Sequence, residues 1–110
     1  MATRSQIEGD VCIVTPEGQL DALTGPALSD LFQEKLKAHK NLIIDFSKLE
    51  FLSSAGLRVL LSTVKDARRI GGDLRLTGVK EDVGKVLSVS GFDRILKIYP
   101  DLQEAKESYS

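Results

Sequence analysis

Residues 42–61 read LIIDFSKLEFLSSAGLRVLL and contain a strand, a connection and the start of a helix. The apolar run at 42–46 is typical of a central strand that is covered on both faces. From 54 to 70 apolar residues recur at the helical spacing of three and four. The expected core stripe of this helix is Leu57, Leu60, Leu61, Val64 and Ala67. The stretch therefore predicts a buried strand followed by an amphipathic helix that packs on its sheet.

The rest of the chain alternates short apolar runs with helix-like segments. Thr24 is a plausible N-cap for the next helix upstream, and Pro26 stands in its first turn, where a missing N–H costs nothing. In chain order, the predicted elements are a strand at 11–14, a turn or short strand at 17–21, a helix at 24–38, a strand at 42–46, a helix at 54–70, a strand at 73–77, a short helix at 80–88, a turn at 90–93, a strand at 95–98 and a helix at 100–108 that starts on Pro100.

This order predicts an α/β fold. Strands that alternate with helices are joined by right-handed crossovers, which gives a mixed or parallel central sheet backed by helices. A chain of 110 residues is enough for one domain of about four or five strands and about four helices.

Composition excludes several classes of function. With 15 basic and 16 acidic residues and only six aromatic ones, the chain has no general affinity for nucleic acid and no stacking platform for bases. No run approaches the about 18 apolar residues of a membrane span, so membrane insertion is not expected. The one cysteine, Cys12, lies in an apolar run and fits a buried residue in the reducing cytoplasm, which is the expected location.

Ser53 and Ser54 are the most informative polar residues, because they stand at the mouth of the 54–70 helix. A helix N-terminus presents free N–H groups and a positive field, so a serine there can cap the helix or can carry a phosphate. A capping box is absent, since Gly56 and Leu57 occupy the positions that would need Glu or Gln. Both interpretations hold together if Ser53 is the cap and Ser54 the acceptor.

Enzyme signatures are incomplete or missing. A serine-hydrolase elbow lacks its first glycine, since Leu52 stands there. A receiver-like domain that uses Asp45 would need an acidic pair where Thr15-Pro16 lies. Neither a Walker A loop nor a dinucleotide-binding glycine motif occurs. We therefore expect no catalytic residue, no cofactor and no metal site, and any ATP would be bound by another protein.

Three segments together resemble a known family. The stretch from Asp45 to Leu57 resembles the signature of the STAS domain, and more narrowly of the bacterial anti-sigma factor antagonists. Residues 18–21 resemble the early turn of that family, and residues 90–101 resemble its C-terminal segment and closing helix. The order and spacing match over nearly the whole chain, which implies a single STAS domain at 1–110.

The resemblance also implies site residues. Aligned on Gly56-Leu57, Ser54 takes the place of the phosphorylated serine, and Ser53 stands where the family usually has an aspartate. Ser53 is the less favoured acceptor. The residues expected to meet a partner, besides the 47–53 loop, are Asp21, Ser53, Ser54, Gly56, Arg58 and Val59.

Partner switching is the function that the resemblance implies. The unphosphorylated protein would bind an anti-sigma factor that is itself an ATP-dependent serine kinase, and so release the sigma factor. Phosphorylation would end the binding, and a metal-dependent serine/threonine phosphatase would restore it. The alternative is a STAS module that serves as an interaction or scaffold subunit of a transporter or stress-signalling complex, without a sigma-factor circuit.

Overall fold

The computed structural model describes residues 2–110, and its elements follow the predicted alternation of strands and helices. In chain order they are β1 (Thr3–Glu8), β2 (Val11–Pro16), β3 (Gly18–Leu20), α1 (Gly25–Leu36), β4 (Asn41–Asp45), β5 (Leu49–Leu52), α2 (Ser54–Arg69), β6 (Asp73–Thr77), α3 (Glu81–Val89), a 3-10 turn (Phe92–Arg94), β7 (Lys97–Tyr99) and α4 (Leu102–Glu107).

Within residues 2–110 the main sheet has five strands in the spatial order β1-β2-β4-β6-β7. β1 runs antiparallel to β2, and every other neighbouring pair in this sheet is parallel. β3 and β5 form a separate parallel ribbon of two strands. The predicted α/β class, with a mixed sheet and four helices, is confirmed, and so is the prediction that 11–14, 42–46 and 73–77 share one sheet.

β4 explains why its sequence is apolar without alternation. Leu42 and Ile44 belong to the core beneath α1, α2 and α3, whereas Ile43 faces the opposite side of the sheet. On that side Ile43 packs with residues of β2 and of α4. Because helices cover both faces, three consecutive side chains are fully buried.

α2 packs on the sheet largely as its periodicity predicts. Leu57, Leu60, Val64 and Ala67 are buried, but Leu61 is only half-buried. Thr63, which was not predicted as a core residue, is buried next to this stripe. Its hydroxyl donates to the carbonyl of Val59 at 2.7 Å. A threonine that satisfies its hydroxyl within its own helix can turn its methyl group to the core.

The start of α2 lies directly against the β3–β5 ribbon. A Cβ added to Gly56 would stand 2.6 Å from the carbonyl oxygen of Leu20 and 2.8 Å from Cδ1 of Leu52. The segment 47–53, predicted as a loop, contains β5, which is a correction. Leu49 and Leu52 of β5 are buried in the main core. The pairing of the ribbon is irregular between Gly18 and Gln19.

Both ends of the chain differ from the prediction. No strand is predicted at residues 3–8, because β1 carries one large apolar residue, Ile7, and is held by backbone pairing with β2. The predicted strand at 95–98 is wrong at its start, since the amides of Ile95 and Leu96 both donate to the carbonyl of Phe92 and continue the 3-10 turn.

The last helix also starts later than predicted. α4 begins at Leu102 and not at Pro100, and its N-cap is Asp101, whose Oδ1 accepts from the amide of Glu104 at 2.8 Å. An aspartate offers the acceptor that the first turn requires, whereas proline only lacks a donor.

Asp73 ties the N-terminal end of β6 to its neighbours. Its carboxylate accepts from Nε of Arg68 at 2.9 Å and from Nε of Arg75 at 3.1 Å, and Nζ of Lys97 lies 3.8 Å away. Arg75 in turn stacks on Tyr109, with 4.0 Å from its Cζ to the ring centroid. Burial alone would raise the pKa of Asp73, but the hydrogen bonds from Arg75 and Arg68 outweigh it and hold the pKa below its ordinary value.

We expect Gly56→Ala to lower the free energy of unfolding by about 2 kcal/mol, because its Cβ would press on the backbone of Leu20. Gly84→Ala in α3 is the matched control, since its nearest neighbour, Val79 Cγ1, would lie at an ordinary 3.5 Å. There the better helix propensity of alanine should stabilise the protein by up to about 1 kcal/mol. Urea denaturation measures both, and equal effects at the two positions would contradict the packing described.

We expect Asp73→Asn to lower the free energy of unfolding at pH 7 by about 2 kcal/mol, less than for a fully buried pair because Arg68 and Lys97 stay partly in water. Since the pKa of Asp73 is depressed in the folded state, its contribution is complete above about pH 5 and is lost as the pH falls below about 3.9. Denaturation curves should therefore converge for the two proteins at low pH. A constant difference across this range would contradict the assignment.

Candidate functional site

Ser53 is engaged in holding the start of α2. It is the N-cap, with extended backbone (φ −94°, ψ 173°), and its Oγ accepts from the amide of Gly56 at 3.2 Å. Its own amide donates to the carbonyl of Leu20 at 3.0 Å. The prediction that Ser53 caps the helix is confirmed.

Ser54 has different surroundings, although it is the next residue. It is the first residue of α2, its side chain is exposed, and no group among residues 2–110 forms a hydrogen bond with its hydroxyl. The first turn of α2 contains no acidic side chain, so nothing on the helix itself offsets the positive end of the macrodipole. The hydroxyl of Ser54 is therefore free, and a negative group attached to it would be electrostatically favoured.

The loop after β3 stands beside this helix start and is ordered by Asp21. Its Oδ1 accepts from the amides of Leu23 and Thr24, each at 3.0 Å. The backbone hydrogen bond from Thr24 is the main reason why the pKa of Asp21 is lowered. Thr24 occupies the N-cap position of α1, but its side chain makes no capping bond and its Oγ1 donates to the carbonyl of Gln19 at 2.8 Å. Thr24 therefore holds the predicted N-cap position, but its hydroxyl does not cap the helix.

Gly56 and Val59 pack α2 against its neighbouring elements. Gly56 is buried and presents no side chain, so its role in the fold is the close approach of α2 to β3. Val59 is half-buried and packs against the core, with its Cγ2 only 3.3 Å from the place of a Cβ on Gly25. Val59 thus lies at the contact between α1 and α2, although the sequence predicted that it meets a partner. Arg58 is exposed and has no ion pair or hydrogen bond within the described part of the chain.

Two exposed apolar residues lie on the segments that lead to the start of α2, and they were not identified from the sequence. Leu23, in the loop after β3, is 88% exposed, and Phe51, on β5, is 50% exposed. β3 and β5 are paired, with Gln19 opposite Phe51, and their ends meet the start of α2. We call Asp21, Leu23, Phe51, Ser54 and Arg58 the serine surface. It combines a free hydroxyl, one charge of each sign and two apolar side chains.

Among residues 2–110 no side chain is placed as a base for Ser54, and no cluster of three histidine, cysteine, aspartate or glutamate residues is suited to a metal ion. A cavity of about 840 Å³ lies at the other end of α2, beside Arg68 and residues 93–99. None of the helices in this range has the length and apolarity needed to cross a bilayer.

Comparison with known proteins identifies the family of this chain. The model of the STAS domain family matches residues 2–105. BtrV of Bordetella bronchiseptica, named as a candidate anti-sigma factor antagonist, is 32% identical over 99 residues, which cover 89% of this chain and 82% of that protein. The crystal structure of a candidate anti-sigma factor antagonist from Thermotoga maritima has a TM-score of 0.91 at 28% identity, covering 96% of this chain and 92% of the other.

A second solved structure, an anti-sigma factor antagonist from Mycobacterium paratuberculosis, has a TM-score of 0.88 at 26% identity and covers 97% of this chain and 92% of its own. The family model and the similar sequences thus agree over most of the chain. The chain belongs to the STAS domain family, and the relatives that it resembles there are named as anti-sigma factor antagonists.

Proposed function

We propose that this protein is an anti-sigma factor antagonist whose unphosphorylated form binds an anti-sigma factor serine kinase and so releases the sigma factor. Phosphorylation of Ser54 ends the binding. The observation that carries the proposal is the difference between the two neighbouring serine hydroxyls. The oxygen of Ser53 caps α2, whereas that of Ser54 is exposed and has no hydrogen-bond partner among residues 2–110.

This difference favours Ser54 as the acceptor of the phosphate. A kinase must bring the γ-phosphate of its ATP into line with the attacking hydroxyl, so the hydroxyl has to be accessible. Ser53 is half-buried and its Oγ already accepts from the amide of Gly56, so it is less accessible to a kinase than Ser54. Modification of Ser54 breaks no hydrogen bond within residues 2–110.

A phosphate on Ser54 is compatible with the fold of this chain but weakens the binding of the partner. A phosphoserine adds about −1.5 to −2 charge, which the N-terminus of α2 stabilises. Arg58 lies one turn further along α2, where a side chain can pair with a group at Ser54. On the serine surface, however, Leu23 and Phe51 are exposed, and a partner that buries them together with Ser54 must also desolvate the new charge. We therefore propose that the switch acts at the interface and leaves the fold unchanged.

The partner supplies the rest of the chemistry. ATP is bound by the anti-sigma factor kinase, because this sequence lacks nucleotide-binding motifs. A serine/threonine phosphatase of the metal-dependent type removes the phosphate and restores binding. The cycle takes place in the cytoplasm and involves neither nucleic acid nor membrane insertion by this chain.

We expect Ser54→Ala to abolish phosphate incorporation by the partner kinase while it leaves kinase binding intact, because only a free hydroxyl is removed. Ser53→Ala should still be phosphorylated at position 54, although it should be less stable by about 1 kcal/mol. Incubation with the kinase and ATP, followed by mass spectrometry, locates the phosphate. If Ser54→Ala is phosphorylated and Ser53→Ala is not, the assignment of the two serines is reversed.

We expect Ser54→Asp to bind the kinase at least about tenfold more weakly, with an unchanged melting temperature, because a charge enters the interface while the helix N-terminus accepts it. Leu23→Ala and Phe51→Ala should each weaken binding by about tenfold if the serine surface is the docking site. Val89→Ala is the matched control, since Val89 on α3 is 89% exposed and lies outside that surface. Calorimetric titration of the kinase measures all four. Equal losses for Val89→Ala and Leu23→Ala would place the partner elsewhere.

A further inference from the structure

β1 is an edge strand with one unused side. It pairs with β2, and its other edge has no strand beside it among residues 2–110. An edge strand presents a row of free N–H and C=O groups to any strand that fits it. The turn to β2 contains Gly9, whose φ of +59° suits the two-residue connection of a tight hairpin.

The register with β2 shows which backbone groups are free. The amide of Glu17 donates to the carbonyl of Ala2 at 2.9 Å, and Thr3 stands opposite Pro16, which has no N–H to give. In an antiparallel pair, hydrogen-bonded and non-bonded residues alternate. The even residues of β1 therefore bond to β2, while Thr3, Ser5 and Ile7 direct their N–H and C=O groups outward.

We propose that the free edge of β1 binds a second copy of this chain, strand to strand and antiparallel, with Gln6 opposite Gln6 of the second copy. In this register the outward groups of Ser5 and Ile7 bond to Ile7 and Ser5 of the second copy. Arg4 then stands opposite Glu8 of the second copy, and the two-fold symmetry forms this ion pair twice.

The charges select this register among those that the backbone permits. If the register of the two β1 strands shifted by two residues in one direction, Arg4 would stand opposite Gln6 and the ion pair would be lost. A shift by two residues in the other direction would require Gly9 and Asp10, which form the turn, to pair as strand residues. Opposite charges directly across an antiparallel pair are stabilising, and like charges are destabilising. The sequence TRSQIE is thus complementary to itself.

Side chains on both faces of β1 suit this pairing. Glu8 lies opposite Val11, on the α4 side of the sheet, where its carboxylate already accepts from Nζ of Lys106 at 2.6 Å. A carboxylate can accept from Arg4 of the second copy as well. Ile7 lies on the other face, opposite Cys12, and is 47% exposed. Across the two-fold axis it meets Ile7 of the second copy diagonally, which covers apolar surface that the single chain leaves in water.

Such a dimer is weak and reversible. β1 contributes six residues a side, whereas a standard stable interface has about 20–30. We therefore expect association at chain concentrations of tens to hundreds of micromolar on an order-of-magnitude scale. The dimer should weaken with added salt, because its ion pairs are exposed.

Sedimentation velocity of the full chain tests the proposal through a charge exchange. In a dimer of the Arg4→Glu variant two glutamates would stand opposite each other, and in a dimer of the Glu8→Arg variant two arginines would. Each variant alone should therefore dimerise at least about tenfold more weakly than the unmodified chain. An equimolar mixture of the two variants restores both ion pairs and should dimerise like the unmodified chain. This recovery separates lost pairing from lost folding.

A backbone variant provides the second measurement. Ser5→Pro removes an outward N–H that β2 does not use, so it should keep the melting temperature within a few degrees and abolish the dimer. The proposal is overturned if the unmodified chain stays monomeric at about 1 mM. It is equally overturned if Arg4→Glu dimerises normally, or if the mixed variants stay monomeric while each is folded.

Discussion

The burial of β4 on both faces is the constraint on which the rest of the structure depends. Leu42, Ile43 and Ile44 are all removed from water, and alternate side chains on a strand point to opposite sides of the sheet. Apolar cover is therefore needed on each side. The helices α1, α2 and α3 provide it on one face, and α4 with the neighbouring strands provides it on the other. The network around Asp73 and Arg75 then holds the C-terminal segment in place beneath the sheet.

The site follows from the way in which α2 leaves this core. A helix that starts against the β3–β5 ribbon needs a residue without a side chain at Gly56 and an acceptor at Ser53, and both contact the same strand end at Leu20. With the helix start held by its neighbours, Ser54 takes a defined position on the surface although its hydroxyl forms no hydrogen bond among residues 2–110. The exposed Phe51 lies on β5 of this ribbon, and the exposed Leu23 lies in the loop that follows β3.

Elements with a clear pattern of apolar residues could be predicted from the sequence. Elements that are stabilised mainly by backbone pairing between strands could not. The core strand at 42–46 and the helix at 54–70 have patterns that only one structure buries well. β1 and β5 have little pattern, because one is exposed on most of its length and the other pairs irregularly. The cap at Ser53 could be predicted from its place before an apolar helix. Leu23 and Phe51 could not, because a lone apolar residue in a turn or short strand does not reveal whether it faces water.

The neutral cap at Ser53 has a consequence for the ionisation of a phosphate at the next residue. A phosphoserine has a second pKa near 6, so close to neutral pH a small shift decides how much of it is dianionic. Ser53 caps α2 through an uncharged oxygen, and the first turn holds no carboxylate, so the field of the helix end is not cancelled. That field favours the dianion. Replacing the cap by an aspartate would keep the hydrogen bond but shift the phosphate towards its monoanion.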